Sequence, residues 1–154
     1  MLTAEEIQEI EKEAANYPRR DAVSIDALRI VQTHRGWVSD ESLRDIAGHI
    51  GMSETDLDSV ATFYNLIYRR PVGRHVITVC DSVSCWIMGH DRVKEHLSQR
   101  LGIGYGGTTS DHRFTLLPIV CLGCCDHAPA MMVDADLCSD LDPSRIDAHL
   151  ENYK

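Results

Sequence analysis

The chain is short of positive charge. Lysine and arginine number 15 against 24 aspartates and glutamates, which leaves a net charge of −9, and no stretch gathers the cations into a patch. Nucleic acid, which is held largely by phosphate neutralisation, is therefore not an expected partner. Long apolar runs are also missing. FTLLPIVCLG at 114–123 is the longest mostly apolar stretch, about half the length of a membrane span, so no direct span is expected. The N-terminus, MLTAEEIQEIEKEA, is acidic and amphipathic, whereas a secretory signal starts positive and continues apolar. A soluble, cytoplasmic protein is the expectation. No G-x-G-x-x-G follows a strand. GIGYGGTT at 102–109 comes after a helical stretch and reads as a connecting loop rather than a nucleotide cradle. There is no internal repeat and no low-complexity segment.

Cysteine, by contrast, is plentiful: Cys80, Cys85, Cys121, Cys124, Cys125 and Cys138. A domain of this size buries roughly 70% of its unfolded surface and can fold without disulfides. In a reducing compartment, six thiols point to metal or redox chemistry first.

The two halves differ in hydrophobic period, and together they predict an α/β protein with a domain at 1–72 and another at 73–154. The first seventy residues read as helices. Thr3 and Glu6 form a capping box ahead of Ile7, Ile10 and Ala14. Ser24 opens a segment that Gly36 ends, and Ser39-Asp40 opens one that Gly51 ends. Ser53 and Asp56 cap a fourth, running through Val60 and Phe63. Phe63 and Tyr64 are expected to close this helical bundle. Past Arg69-Arg70-Pro71, HVITVC (75–80) reads as a strand, 85–101 as a helix, RFTLLPIV (113–120) and AMMVD (130–134) as further strands, and Asp142-Pro143 as the start of a last helix. The order strand, helix, strand, strand, helix predicts one sheet flanked by helices. Trp37 and the histidines are expected in packing or surface roles.

Cys80 and Cys85 stand at the end of the first strand and the start of its helix, and the other three clustered thiols follow the second strand. If those strand ends lie side by side, the two groups converge. Four readings compete. Buried cysteine used as a small hydrophobe does not account for five thiols at two strand-end loops. A thiol–disulfide site at Cys121-Leu122-Gly123-Cys124 lacks the following helix whose N-terminus would stabilise the thiolate. Four thiolates could hold a structural zinc. A two-iron cluster needs two thiol pairs, and Cys80/Cys85 with Cys121/Cys125 would supply them. A Rieske site is set aside, because no histidine follows the second cysteine box. The cluster is the favoured reading, with Asp81 and Asp126 placed to disfavour its reduction if ionised close by.

CDSVSC at 80–85 and RFTLLPIVCLGCCDHAPAMMVD at 113–134, with VATFYNLIYRRPVGRHV (60–76) and ALRIVQTHRGWV (27–38), resemble the thioredoxin-like small [2Fe–2S] subunits of bacterial NADH:quinone oxidoreductase, complex I. The resemblance covers essentially residues 20–154. It implies a thioredoxin-like C-terminal domain preceded by an N-terminal helical bundle, with a [2Fe–2S] cluster on Cys80, Cys85, Cys121 and Cys125. It implies a flavoprotein partner that binds FMN and NADH, other components of the peripheral arm, and attachment to the inner membrane only through the complex. The chain would carry electrons as part of an enzyme without being catalytic alone. Relatives also serve NAD-dependent formate dehydrogenases and hydrogenases, and a zinc-stabilised adaptor is the alternative of a different class. Cys124 departs from the family pattern. Cys138 is expected to be a packed residue near the last strand, and Pro129 a cis-proline.

Overall fold

A computed structural model describes residues 1–153. The chain divides into two compact units, Met1–Pro71 and Val72–Lys154.

The first unit holds four helices: α1 (Ala4–Ala14), α2 (Ser24–Arg35), α3 (Asp40–Ile50) and α4 (Glu54–Phe63), with a 3-10 turn at Arg20–Val23. The expected caps are present on three of them. Thr3 and Glu6 form the capping box of α1, and the Ser39 and Ser53 side chains accept from the backbone N–H three residues on. Ile10, Leu28, Val31, Leu43, Ile46, Ile50 and Leu57 pack as one core.

Side chains expected inside lie outside at two places. Ile7 is exposed, and Glu6 takes the buried position with 1% of its surface accessible. Phe63 is 77% exposed and Tyr64 is also exposed, so neither closes the bundle. On α4 the core face belongs to Leu57 and Ala61. Phe63 falls about 200° around the helix from Ala61, and Ile67, beyond the helix, supplies the buried side chain instead. The segment after α4 is held by polar contacts. The Gln32 side chain donates to the Leu66 carbonyl at 2.8 Å and accepts from the Tyr68 N–H at 2.6 Å. Arg69 bonds the Val38 carbonyl, Asp58 and Asp40.

The second unit is a four-stranded sheet with helices: β1 (His75–Cys80), α5 (Val83–Met88), α6 (His90–Leu101), β2 (Phe114–Ile119), β3 (Met131–Val133), β4 (Asp136–Cys138) and α7 (Pro143–Leu150). The strand order is β2-β1-β3-β4. β1 and β2 are parallel, with Cys80 opposite Ile119, and the β1–β3 and β3–β4 pairs are antiparallel. This is the expected α/β sheet, with two differences. The single helix expected over 85–101 is two helices, because Gly89 adopts φ +120°, a conformation that side-chain-bearing residues avoid. A Cβ there would also meet the Arg92 guanidinium at 2.9 Å. The strand β4 has no counterpart among the expected elements. Its three residues, Asp-Leu-Cys, are too few to show a period, and it exists because Asp134, at φ +53°, turns the chain back on β3. The glycine loop behaves as a connector. Its Gly106 and Thr109 N–H groups donate to carbonyls of β2 and Gly107 to Gly104, so they are not free to cradle phosphate.

Glu6 also joins α1 to the rest of its unit. Both its carboxylate oxygens accept from Arg35 at 2.6 Å, and Arg35 donates on to Ser42 at 2.9 Å. The Arg35 guanidinium is the chief reason that the Glu6 pKa falls from 4.5 to about 2, burial opposing it. A lowered folded-state pKa adds stability that is complete above the unfolded value and disappears as pH falls toward the folded one. We therefore expect Glu6→Gln to lower stability at pH 7 by about 1–3 kcal/mol. The gap between the two proteins should close between about pH 5 and pH 2. Urea unfolding across that pH range measures it, and a gap independent of pH would be the contrary result.

Candidate metal centre

Four thiols meet where β1 and β2 end. β1 closes on Cys80, whose N–H donates to the Ala130 carbonyl at 3.1 Å. The Asp81 N–H donates to Ile119 on β2 at 3.0 Å. Two residues later α5 begins and turns Cys85 inward. β2 ends at Ile119, and its outgoing loop carries Cys121 to a 3-10 turn at Cys125–His127. Parallel pairing sets both loops at the same edge of the sheet, as the convergence of the two cysteine groups requires. Cys80 and Cys85 are buried, and with Ile119, Ala128 and Ala130 they form a small apolar cluster apart from the main core of the unit. Cys121 and Cys125 are exposed.

The sulfur atoms of Cys121 and Cys125 are 3.8 Å apart. Two thiolates on one tetrahedral metal, with bonds of about 2.3 Å, stand about that far apart. Gly123 donates its backbone N–H to Cys121 Sγ at 3.3 Å, from a φ of +74° that glycine adopts freely. That N–H is the first reason that the Cys121 pKa is lowered; hydrogen bonds with Cys125, Ser82 and Cys80 act the same way. The Cys125 pKa is raised by its hydrogen bond with Cys121, opposed by Ser84. Burial, and then contact with Cys80, push Cys85 up to about 11. Each of the four thiols thus lies in contact with at least one of the others. Among the described residues no three His, Cys, Asp or Glu side chains are grouped to hold a single metal ion, and Cys121 contacts both Cys125 and Cys80. An all-thiol donor set from two loops, with backbone and hydroxyl donors beside the sulfurs, fits a two-iron cluster.

The neighbouring residues separate by role. Cys124 is half-buried against the small apolar cluster. Cys138 lies on β4 against the main core and is raised in pKa by burial, the packed residue expected. The Ala128–Pro129 bond is cis, also as expected. Asp81 and Asp126 are both exposed, and Asp126 stands 3.6 Å from His127 Nε2. His90, expected with the other histidines in a packing or surface role, is buried with Nδ1 2.9 Å from the Cys80 carbonyl oxygen. Its position directly after Gly89, ten residues past Cys80, is the only trace of it in the sequence.

Comparison with known proteins adds four findings. The model of the thioredoxin-like [2Fe–2S] ferredoxin family matches residues 10–154. The E subunit of NADH-quinone oxidoreductase from Pseudomonas aeruginosa is 48% identical over 153 residues, covering 99% of this chain and 92% of the relative. The Escherichia coli protein of the same name is 49% identical with the same coverage. Among solved structures, an NAD+-reducing [NiFe]-hydrogenase superposes with a TM-score of 0.68 at 25% identity. It covers 82% of this chain, which spans only 22% of the hydrogenase chain. The sheet, the strand-end thiols and these matches agree: the chain belongs to the thioredoxin-like [2Fe–2S] ferredoxin family.

Proposed function

We propose that the protein is the [2Fe–2S] electron-transfer subunit of an NADH:quinone oxidoreductase, with the cluster held by Cys80, Cys85, Cys121 and Cys125. The observation that carries this reading is the pairing of thiols across two neighbouring strand ends, Cys121 and Cys125 at 3.8 Å and Cys85 in contact with Cys80. When bound, the cluster supplies a one-electron acceptor for electrons that NADH releases two at a time.

The chain's own groups prepare the place. Gly123, Ser82 and Ser84 direct donors at the exposed sulfurs, which favours negative charge there. NADH and FMN would bind to a flavoprotein partner; in this chain the Gly106, Gly107 and Thr109 N–H groups of the glycine loop are engaged by β2 and Gly104. A surface for that partner adjoins the thiols in the chain: Val83, Trp86, Ile87 and Met88 of α5 and Val120 after β2 are all exposed. Apolar side chains gathered this way suit a protein interface better than water. Among the described residues no helix is long and apolar enough to cross a membrane, so attachment to one would run through the other components of the complex. The NADH-quinone oxidoreductase relatives match nearly end to end, whereas the hydrogenase match is more distant, and this favours the quinone-linked complex over the hydrogenase alternative.

The cluster reading predicts a red-brown chain carrying about two irons and two sulfides after anaerobic purification. Cys80→Ala, Cys85→Ala, Cys121→Ala and Cys125→Ala should each bleach it, while Cys124→Ala and Cys138→Ala keep the colour. A colourless zinc protein would establish the adaptor reading instead, and bleaching by Cys124→Ala but not by Cys125→Ala would reassign the fourth ligand. For the partner surface, Trp86→Glu should weaken binding of the flavoprotein about tenfold or more with iron content unchanged. Titration calorimetry against the purified flavoprotein reads this, and unaltered affinity would move the interface elsewhere.

A further inference from the structure

The proposed cluster has a neighbour that no ligand motif announces. His90 opens α6 and is only 6% exposed. Its Nδ1 lies 2.9 Å from the carbonyl oxygen of Cys80. A carbonyl can only accept, so Nδ1 carries the hydrogen and donates. In the neutral ring Nε2 is then an acceptor, and the Tyr105 hydroxyl, 3.4 Å away, is its donor. Burial is the main cause that holds the Tyr105 pKa above the ordinary tyrosine value, so the phenol keeps its proton. Lys94 Nζ sits 5.0 Å over the Tyr105 ring. These contacts run from the exposed Lys94 through the half-buried Tyr105 to the buried His90 and the last residue of β1.

Cys80 is where this line ends, and it is also where the sheet stops. Its N–H donates to the Ala130 carbonyl, and its own carbonyl accepts from His90. A buried carbonyl without a donor would be costly by itself. Beside a thiolate cluster it would also set the negative end of its dipole near a centre that gains negative charge on reduction. Donors and dipoles around iron–sulfur centres tune their potential through such charge interactions.

We propose that His90 is a positioning residue for the cluster: by donating from Nδ1 to the Cys80 carbonyl it holds the β1–α5 turn and raises the midpoint potential of the bound [2Fe–2S] centre. This rests on the functional reading above. His90 touches no metal and exchanges no electron; it acts through the peptide of Cys80. The ring geometry separates its two bonds, because the asparagine side-chain nitrogen stands near the position of histidine Nδ1 and that of glutamine near Nε2.

The test uses the full chain with its cluster assembled, read by EPR redox titration and by the g-values of the reduced centre. His90→Leu should lower the midpoint and shift the g-values. His90→Asn should return both toward the parent, and His90→Gln, which can meet Tyr105 but not the Cys80 carbonyl, should not. If His90→Leu does not fold, the contrast of Asn with Gln decides alone. Parent values retained in His90→Leu, or rescue by Gln and not by Asn, would overturn the role of His90 and leave the cluster reading standing. A parent chain that binds no iron or sulfide would instead overturn the cluster reading, and this inference with it.

Discussion

The candidate site depends first on the parallel pairing of β1 with β2. A hairpin would send the second strand back and leave its outgoing loop at the opposite end of the sheet. Parallel strands need a crossover, here α5, α6 and the glycine loop, and their C-terminal ends then share one edge. With Cys80 opposite Ile119, the loop carrying Cys121 and Cys125 leaves the sheet beside the turn carrying Cys80 and Cys85. β1 is buried along nearly its whole length, and its β-branched run is what a central strand covered on both faces requires.

That arrangement makes the site asymmetric. One thiol pair is sealed among Ile119, Ala128 and Ala130, and the other is open to solvent. Burial and thiol–thiol contact oppose thiolate formation at Cys85, whereas the Gly123 N–H favours it at Cys121. Ser82 and Ser84, at the start of α5, reach the exposed pair, and Val83, Trp86, Ile87 and Met88 farther along that helix are exposed. His90 approaches from α6 and reaches the backbone of the buried pair.

The helical unit is organised by a different kind of constraint. Glu6 satisfies the Thr3 N–H of its own helix start and receives both arms of Arg35 from α2. One buried carboxylate therefore links a local cap to the packing of helices. This explains why α1 turns Glu6 inward and leaves Ile7 outside, against the ordinary preference of the two side chains. The apolar pattern alone would have chosen Ile7, because periodicity does not know where a cation from a distant helix will arrive.

Local chemistry by itself determined much of this protein. Caps at Thr3, Ser39 and Ser53, glycine stops after α2 and α3, the β-branched run of β1 and the switch of period after Pro71 are all decided within a few residues of chain. The spacing of the cysteines was legible too, since it reflects how many residues a strand-end turn needs between two thiols. Tertiary structure decided the rest. Gly89 split one expected helix into two, Asp134 folded back a strand too short to show a pattern, and Phe63 went to the surface because Leu57 and Ala61 already filled the core face. The contact between His90 and the Cys80 carbonyl, and that between Cys121 and Cys125 at 3.8 Å, depend on where separate segments come to rest. Distances of that kind follow from the packing of the whole sheet against its helices, and no local propensity encodes them.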